Sequence, residues 1–98
     1  MPHVLFSAAA RTDLAAAVTW YEDRAPEVVP QFRQALRAVV QRIAENPKQF
    51  PTSPHGTRRA LLRRFPYLVI FRETADAAHV VAVFHTSRDQ RTWNQRTL

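Results

Sequence analysis

Two near-continuous apolar runs, Val69-Ile70-Phe71 and Val80-Val81-Ala82-Val83-Phe84, stand on either side of a short polar stretch late in the chain. Their β-branched and aromatic content suits central strands, and such strands need cover on at least one face. The first half of the chain can supply it. Val29, Phe32, Leu36, Val39/Val40 and Ile43 recur at steps of three and four, while Arg33, Gln34, Arg37, Gln41 and Glu45 take the other side. That spacing predicts a helix with one apolar stripe. A helix of this kind laid on those strands is the simplest way to bury both.

The remaining elements follow from local signals. His3 to Phe6 reads as a short strand. Ser7 is a helix N-cap for the alanine-rich segment from Ala8 to about Arg24, where Leu14, Ala17/Val18 and Tyr21 keep helical spacing. Pro26 ends that helix, because the residue before a proline is pushed out of the helical region. Pro26 also suits a first helical position, whereas Pro30 would cost a hydrogen bond. The second helix therefore either kinks or starts near Pro30. Asn46-Pro47 stops it, and the short link between the two helices implies an antiparallel hairpin. A loop stiffened by Pro47, Pro51, Pro54 and Gly56 comes next. Strands are expected at Arg58–Arg64, Tyr67–Glu73 and His79–Thr86, joined by Phe65-Pro66 and by a turn over Ala75–Ala78. The segment Ser87–Leu98 is polar and basic around Trp93. This order, β-α-α-β-β-β, is an α+β class fold: a helical hairpin on a small antiparallel sheet, in one domain spanning 1–98. The first strand should join by a crossover, and periodicity leaves its edge open.

Charge narrows the partners. The formal charge is +6, from thirteen arginines and the single lysine Lys48 against eight carboxylates. Guanidinium groups bind phosphate or carboxylate bidentately, so an RNA, DNA or acidic protein partner is one reading, and a solvated surface is the other. The absence of cysteine from the sequence excludes disulfides and thiolate-metal sites and suits a reducing cytoplasm. His3, His55 and His79 lack ligand spacing, and Gly56 is the only glycine, so neither a metal site nor a glycine-rich phosphate loop is expected, and no cofactor. No apolar run approaches the roughly 20 residues of a membrane helix. Val4-Leu5-Phe6 with Ala8-Ala9-Ala10 lacks the positive leading region of a signal peptide.

Several motifs occur together in order. Asp13-Leu14 and Trp20-Tyr21-Glu22 lie on the first helix, and Asn46-Pro47 and Phe50-Pro51 end the second. Phe65-Pro66-Tyr67-Leu68-Val69-Ile70-Phe71-Arg72 opens a strand with a Pro-Tyr pair, and Val83-Phe84-His85-Thr86-Ser87-Arg88-Asp89 ends in His-x-x-Arg-Asp. This combination resembles the RelE/ParE superfamily of bacterial type II toxins, in its ParE-like (plasmid stabilisation) branch. The resemblance implies a toxin held in a hetero-oligomer by a cognate antitoxin. It implies binding and poisoning of DNA gyrase without chemistry of its own. The alternative within the superfamily is a RelE-like, ribosome-dependent mRNA endoribonuclease that needs no metal.

The candidate site residues divide between those readings. For RNA cleavage, His85 could move a proton while Arg58, Arg64 and Arg88 balance phosphate charge, provided their faces converge. For binding, Arg58, Arg59, Arg63, Arg64, Tyr67, Arg72, His85, Arg88 and Trp93 form the expected platform. Each has a plainer structural reading. His85 can hydrogen-bond to backbone or to Asp89, Arg88-Asp89 can be a strand-end pair, Trp93 can be core, and Glu45 and Glu73 can be solvated carboxylates. Trp20 and Tyr21 are adjacent on one helix and cannot share a packing partner, so Trp20 is the candidate for exposed apolar surface.

Overall fold

The computed structural model describes residues 3–87. Its elements are β1 (His3–Phe6), α1 (Ala8–Arg24), α2 (Val29–Glu45), β2 (Thr52–Ser53), β3 (Thr57–Leu61), β4 (Tyr67–Glu73) and β5 (Ala77–His85). The strands form one five-stranded sheet in the order β1-β5-β4-β3-β2. β2 to β5 are antiparallel, and β1 pairs parallel with β5, Phe6 opposite Val80. The α+β architecture expected from the sequence is present, as a mixed rather than wholly antiparallel sheet. The first strand takes the β5 edge, and the long connection through α1, α2 and the meander allows it to run parallel to β5.

Caps explain the helix limits. The Ser7 hydroxyl accepts from the Ala10 amide at 3.0 Å, and the Ser7 amide donates to the Val80 carbonyl at 2.9 Å. One residue thus ends the β1 ladder and opens α1. At the far end the Ala25 amide donates to Tyr21 at 2.7 Å before Pro26 intervenes. The question left by the two prolines is resolved by a 3-10 turn at Pro26–Val28, after which α2 begins at Val29 with Pro30 in its first turn. There the missing N–H has no intrahelical partner to lose.

Three strand expectations are corrected. β3 ends at Leu61, not Arg64: the Leu62 amide donates to Tyr67 at 3.0 Å, and Arg64 takes a left-handed φ of 70° that closes the connection. β5 runs from Ala77 to His85, so its preceding turn is tighter than Ala75–Ala78, held by the Thr74 amide on the Ala77 carbonyl at 2.8 Å. The short β2 lies in what read as loop.

The main core lies where the helices meet one sheet face. Phe32, Ile43, Val69, Phe71 and Val80 are fully buried there. Burying one such side chain contributes about 1.5–3 kcal/mol. A smaller apolar cluster of Ile70, Val81, Ala82 and Phe84 occupies the opposite face. The ladder shifts register at Val81, since Ile70 pairs with Ala82 but Phe71 with Val80. Just past this bulge the Val83 amide donates to Asp13 Oδ2 at 2.9 Å, so α1 caps a part of β5 that extends beyond β1. Among the described residues no helix is long and apolar enough to cross a membrane.

Candidate functional site

The strand arginines do not converge. Register places Arg58 opposite Phe71, on the helix side of the sheet, and Arg59 opposite Ile70, on the other side. Arg58 Nε lies 2.5 Å from Glu73 Oε1, and its Nη1 donates to the Phe50 carbonyl at 2.8 Å. Glu73 also meets Lys48 Nζ at 3.4 Å, so it is a paired carboxylate rather than a solvated one. Its Arg58 hydrogen bond, followed by the positive charge of Arg58 and Lys48, lowers its pKa against the opposing effect of burial. Arg59 Nη1 donates to the Thr52 carbonyl at 2.8 Å, which ties it to the edge strand. Arg72 Nη2 donates to the His55 carbonyl at 2.6 Å, while its buried Nε has no hydrogen-bond partner among the described residues. At Gly56 φ is +72°, a left-handed backbone that favours glycine, and a Cβ there would only touch the flexible end of Arg72 at 3.4 Å. Three arginines of the expected binding platform are thus engaged by protein partners.

Arg63 and Arg64 stand exposed on the β3–β4 connection. Beneath it lies an aromatic cluster: Tyr21 meets Phe32 at 5.2 Å, Phe65 at 5.5 Å and Tyr67 at 6.2 Å between centroids. Burial, with the Tyr67 phenol as a smaller influence, raises the Tyr21 pKa, so Tyr21 stays a neutral hydroxyl at physiological pH. Tyr67 is buried and stacks edge-on against His85 at 5.3 Å. His85 Nδ1 accepts from the Ser87 amide at 3.1 Å and lies 2.8 Å from the Ser87 hydroxyl. In the neutral ring this leaves the proton on Nε2. The backbone partner expected for His85 is therefore Ser87. Arg88, Asp89 and Trp93 lie outside the described residues. Trp20 is 47% exposed, with the Arg24 guanidinium 4.4 Å from its ring centroid, as its adjacency to the packed Tyr21 requires.

A second site went unread in the sequence. Between α1, α2 and β1 runs a groove of about 1010 Å³. Val4, Phe6, Leu14, Leu36 and Val40 are its half-buried floor, packed at their inner ends onto the main core. The α2 stripe is wider than one partner needs: Phe32, Val39 and Ile43 are buried, while Leu36 and Val40 are left part-exposed and line the groove. The Val39/Val40 doublet was the available signal, together with an alanine-rich α1 that presents little bulk. Arg11, Arg33 and Arg37 stand exposed on the rim, and Glu22 is the only carboxylate among the lining residues. Among the described residues, ion pairs form only around Glu73. The rim guanidiniums are therefore available to an incoming group. No cluster of three or more His, Cys, Asp or Glu suited to a metal occurs among the described residues.

The profile described as "ParE toxin of type II toxin-antitoxin system, parDE" matches residues 4–90. Toxin ParE2 of Mycobacterium tuberculosis, in strains CDC 1551 / Oshkosh and ATCC 25618 / H37Rv, is 34% identical over 74 residues, covering 74% of this chain and 70% of the relative. A solved structure titled "Chromosomal ParDE TA system from P. aeruginosa" superposes with a TM-score of 0.75 at 21% identity, over 87% of this chain and 96% of that one. At that identity the superposition speaks for the fold.

Proposed function

The chain belongs to the ParE toxin family of type II toxin–antitoxin systems, and from that premise we propose a toxin that acts in the cytoplasm by binding DNA gyrase and is silenced by an antitoxin seated in the α1–α2–β1 groove. The observation that carries the binding reading is the groove itself. It joins a half-buried apolar floor to exposed cationic rims that form no ion pair among the described residues, which suits an amphipathic segment of a partner protein. Two of the four residues nominated for RNA chemistry support it indirectly, while Arg64 stays exposed. His85 Nδ1 is engaged by Ser87, and Arg58 by Glu73 and Phe50, so both are partly committed to local contacts.

The test uses the purified chain with gyrase from its native host. Supercoiling should be inhibited, or cleaved DNA trapped, and addition of the co-encoded antitoxin should restore activity. Gyrase left untouched, alongside codon-registered mRNA cuts in a translating extract, would replace this reading with the ribosome-dependent nuclease.

A further inference from the structure

The groove's two walls differ, and the difference specifies what it accepts. On the α2 wall, Arg33 and Arg37 are four residues apart. Such a pair stands one above the other, with about 5–6 Å between Cβ atoms. On the α1 wall the middle of the lining carries Ala15 and Thr19, short and uncharged, with Arg11 and Glu22 only at its two ends. The lining runs from Arg11 to Glu22 on α1 and from Arg33 to Ala44 on α2. At 1.5 Å per residue each stretch is about 16 Å, or three helical turns.

Resting on the reading of this groove as the antitoxin seat, we infer that Arg33 and Arg37 are specificity determinants that select a three-turn amphipathic helix with an asymmetric acidic flank. Two carboxylates spaced i, i+4 on the occupant face α2 and take the two guanidiniums. The opposite flank is neutral and lies close against Ala15 and Thr19. Its apolar stripe fills the floor over Leu36 and Val40. A second copy of this chain is a poor occupant, because a protein of charge +6 would bring more cations to a cationic rim. Discrimination arises from both signs: carboxylates are attracted, and a basic flank at the same spacing is repelled.

The probes are two blocked helical peptides with the same leucine stripe, one carrying a Glu pair and the other a Lys pair at i, i+4 on one flank. Binding is read by fluorescence anisotropy at low salt. The wild-type chain should prefer the Glu peptide by at least about ten-fold, the outcome of roughly 1.4 kcal/mol. The preference should invert in the double variant Arg33→Glu/Arg37→Glu. It should persist in Arg24→Glu, a charge reversal on α1 outside the groove, and circular dichroism should show all three proteins folded. Val40→Glu, in the floor, should abolish binding of either peptide while keeping the wild-type circular dichroism. Equal affinities for the two peptides with Val40→Glu still blocking both would overturn the inference and leave the groove standing. Binding indifferent to Val40→Glu, or no binding of either peptide, overturns the groove reading and the inference with it.

Discussion

Glu73 decides more at the residue scale than any arginine around it. One carboxylate, 22% exposed, fastens Arg58 of β3 and Lys48 of the loop after α2 to the end of β4. The Lys48 arm is 74% exposed and adds little, since exposed pairs contribute about 0–1 kcal/mol. The Arg58 arm is charge-assisted and mostly shielded from water. Its hydrogen bond holds the Glu73 pKa below the ordinary 4.5. A carboxyl whose pKa is depressed on folding stabilises fully above its unfolded value, and loses that contribution as pH falls through the lower folded value. Glu73→Gln should therefore cost about 1.5–3 kcal/mol near neutral pH, the range of a hydrogen bond to a charged group. The gap between the two proteins should be flat above the ordinary carboxylate range and close in acid. Thermal melts from neutral pH into that range check it. A gap independent of pH down to full protonation would mean that Glu73 acts through packing rather than charge. Asp13 works in a similar way at the β1 edge, giving an acceptor to the Val83 amide where β5 runs on past the end of β1.

At the scale of elements, what was legible is what local chemistry writes. Ser7, Pro26 and Asn46-Pro47 marked both helices within a residue or two, because caps and breakers act over one turn. β4 has the bounds that its apolar run implies. β3 was overextended: its end depends on Arg64 entering a left-handed conformation, which a glycine would have announced and an arginine does not. β2 is two residues long and has no period to detect. The site was less legible than the fold. Clustering of arginines in sequence ignored strand alternation, which sends Arg58 and Arg59 to opposite faces. The groove needed the three-dimensional separation of α2's stripe into two lines. That separation has a measurable consequence. Phe32→Ala, under the sheet, should destabilise by about 3–5 kcal/mol, while Val40→Ala, on the groove side, should cost less than about 1.5 kcal/mol, since a partly exposed site leaves little cavity. Denaturant midpoints distinguish the two. Equal costs would place Val40 in the core and remove the groove's floor.

For the whole molecule, the charge of +6 acts as a field more than as a site. Its guanidiniums are dispersed over the groove rim, the β3–β4 connection and both sheet faces, so a gripping platform of strand arginines is replaced by general attraction with a local focus at Arg11, Arg33 and Arg37. Dispersed, exposed charges are screened once the Debye length shrinks, from about 10 Å at 0.1 M salt to about 3 Å at 1 M. Apolar burial on the groove floor is not weakened in this way, and excluded salts strengthen it. An antitoxin complex held by both should therefore lose affinity with salt and then level off. Three exposed ion pairs at about 0.2–1 kcal/mol each sum to about 0.6–3 kcal/mol, or a weakening of roughly 3- to 150-fold. Titration calorimetry of the chain with its antitoxin across that salt range should show such a decline, and the slope should flatten in Arg33→Glu/Arg37→Glu because the rim no longer attracts carboxylates. A wild-type affinity that ignores salt would assign the complex to the apolar floor alone, with the arginines serving solubility.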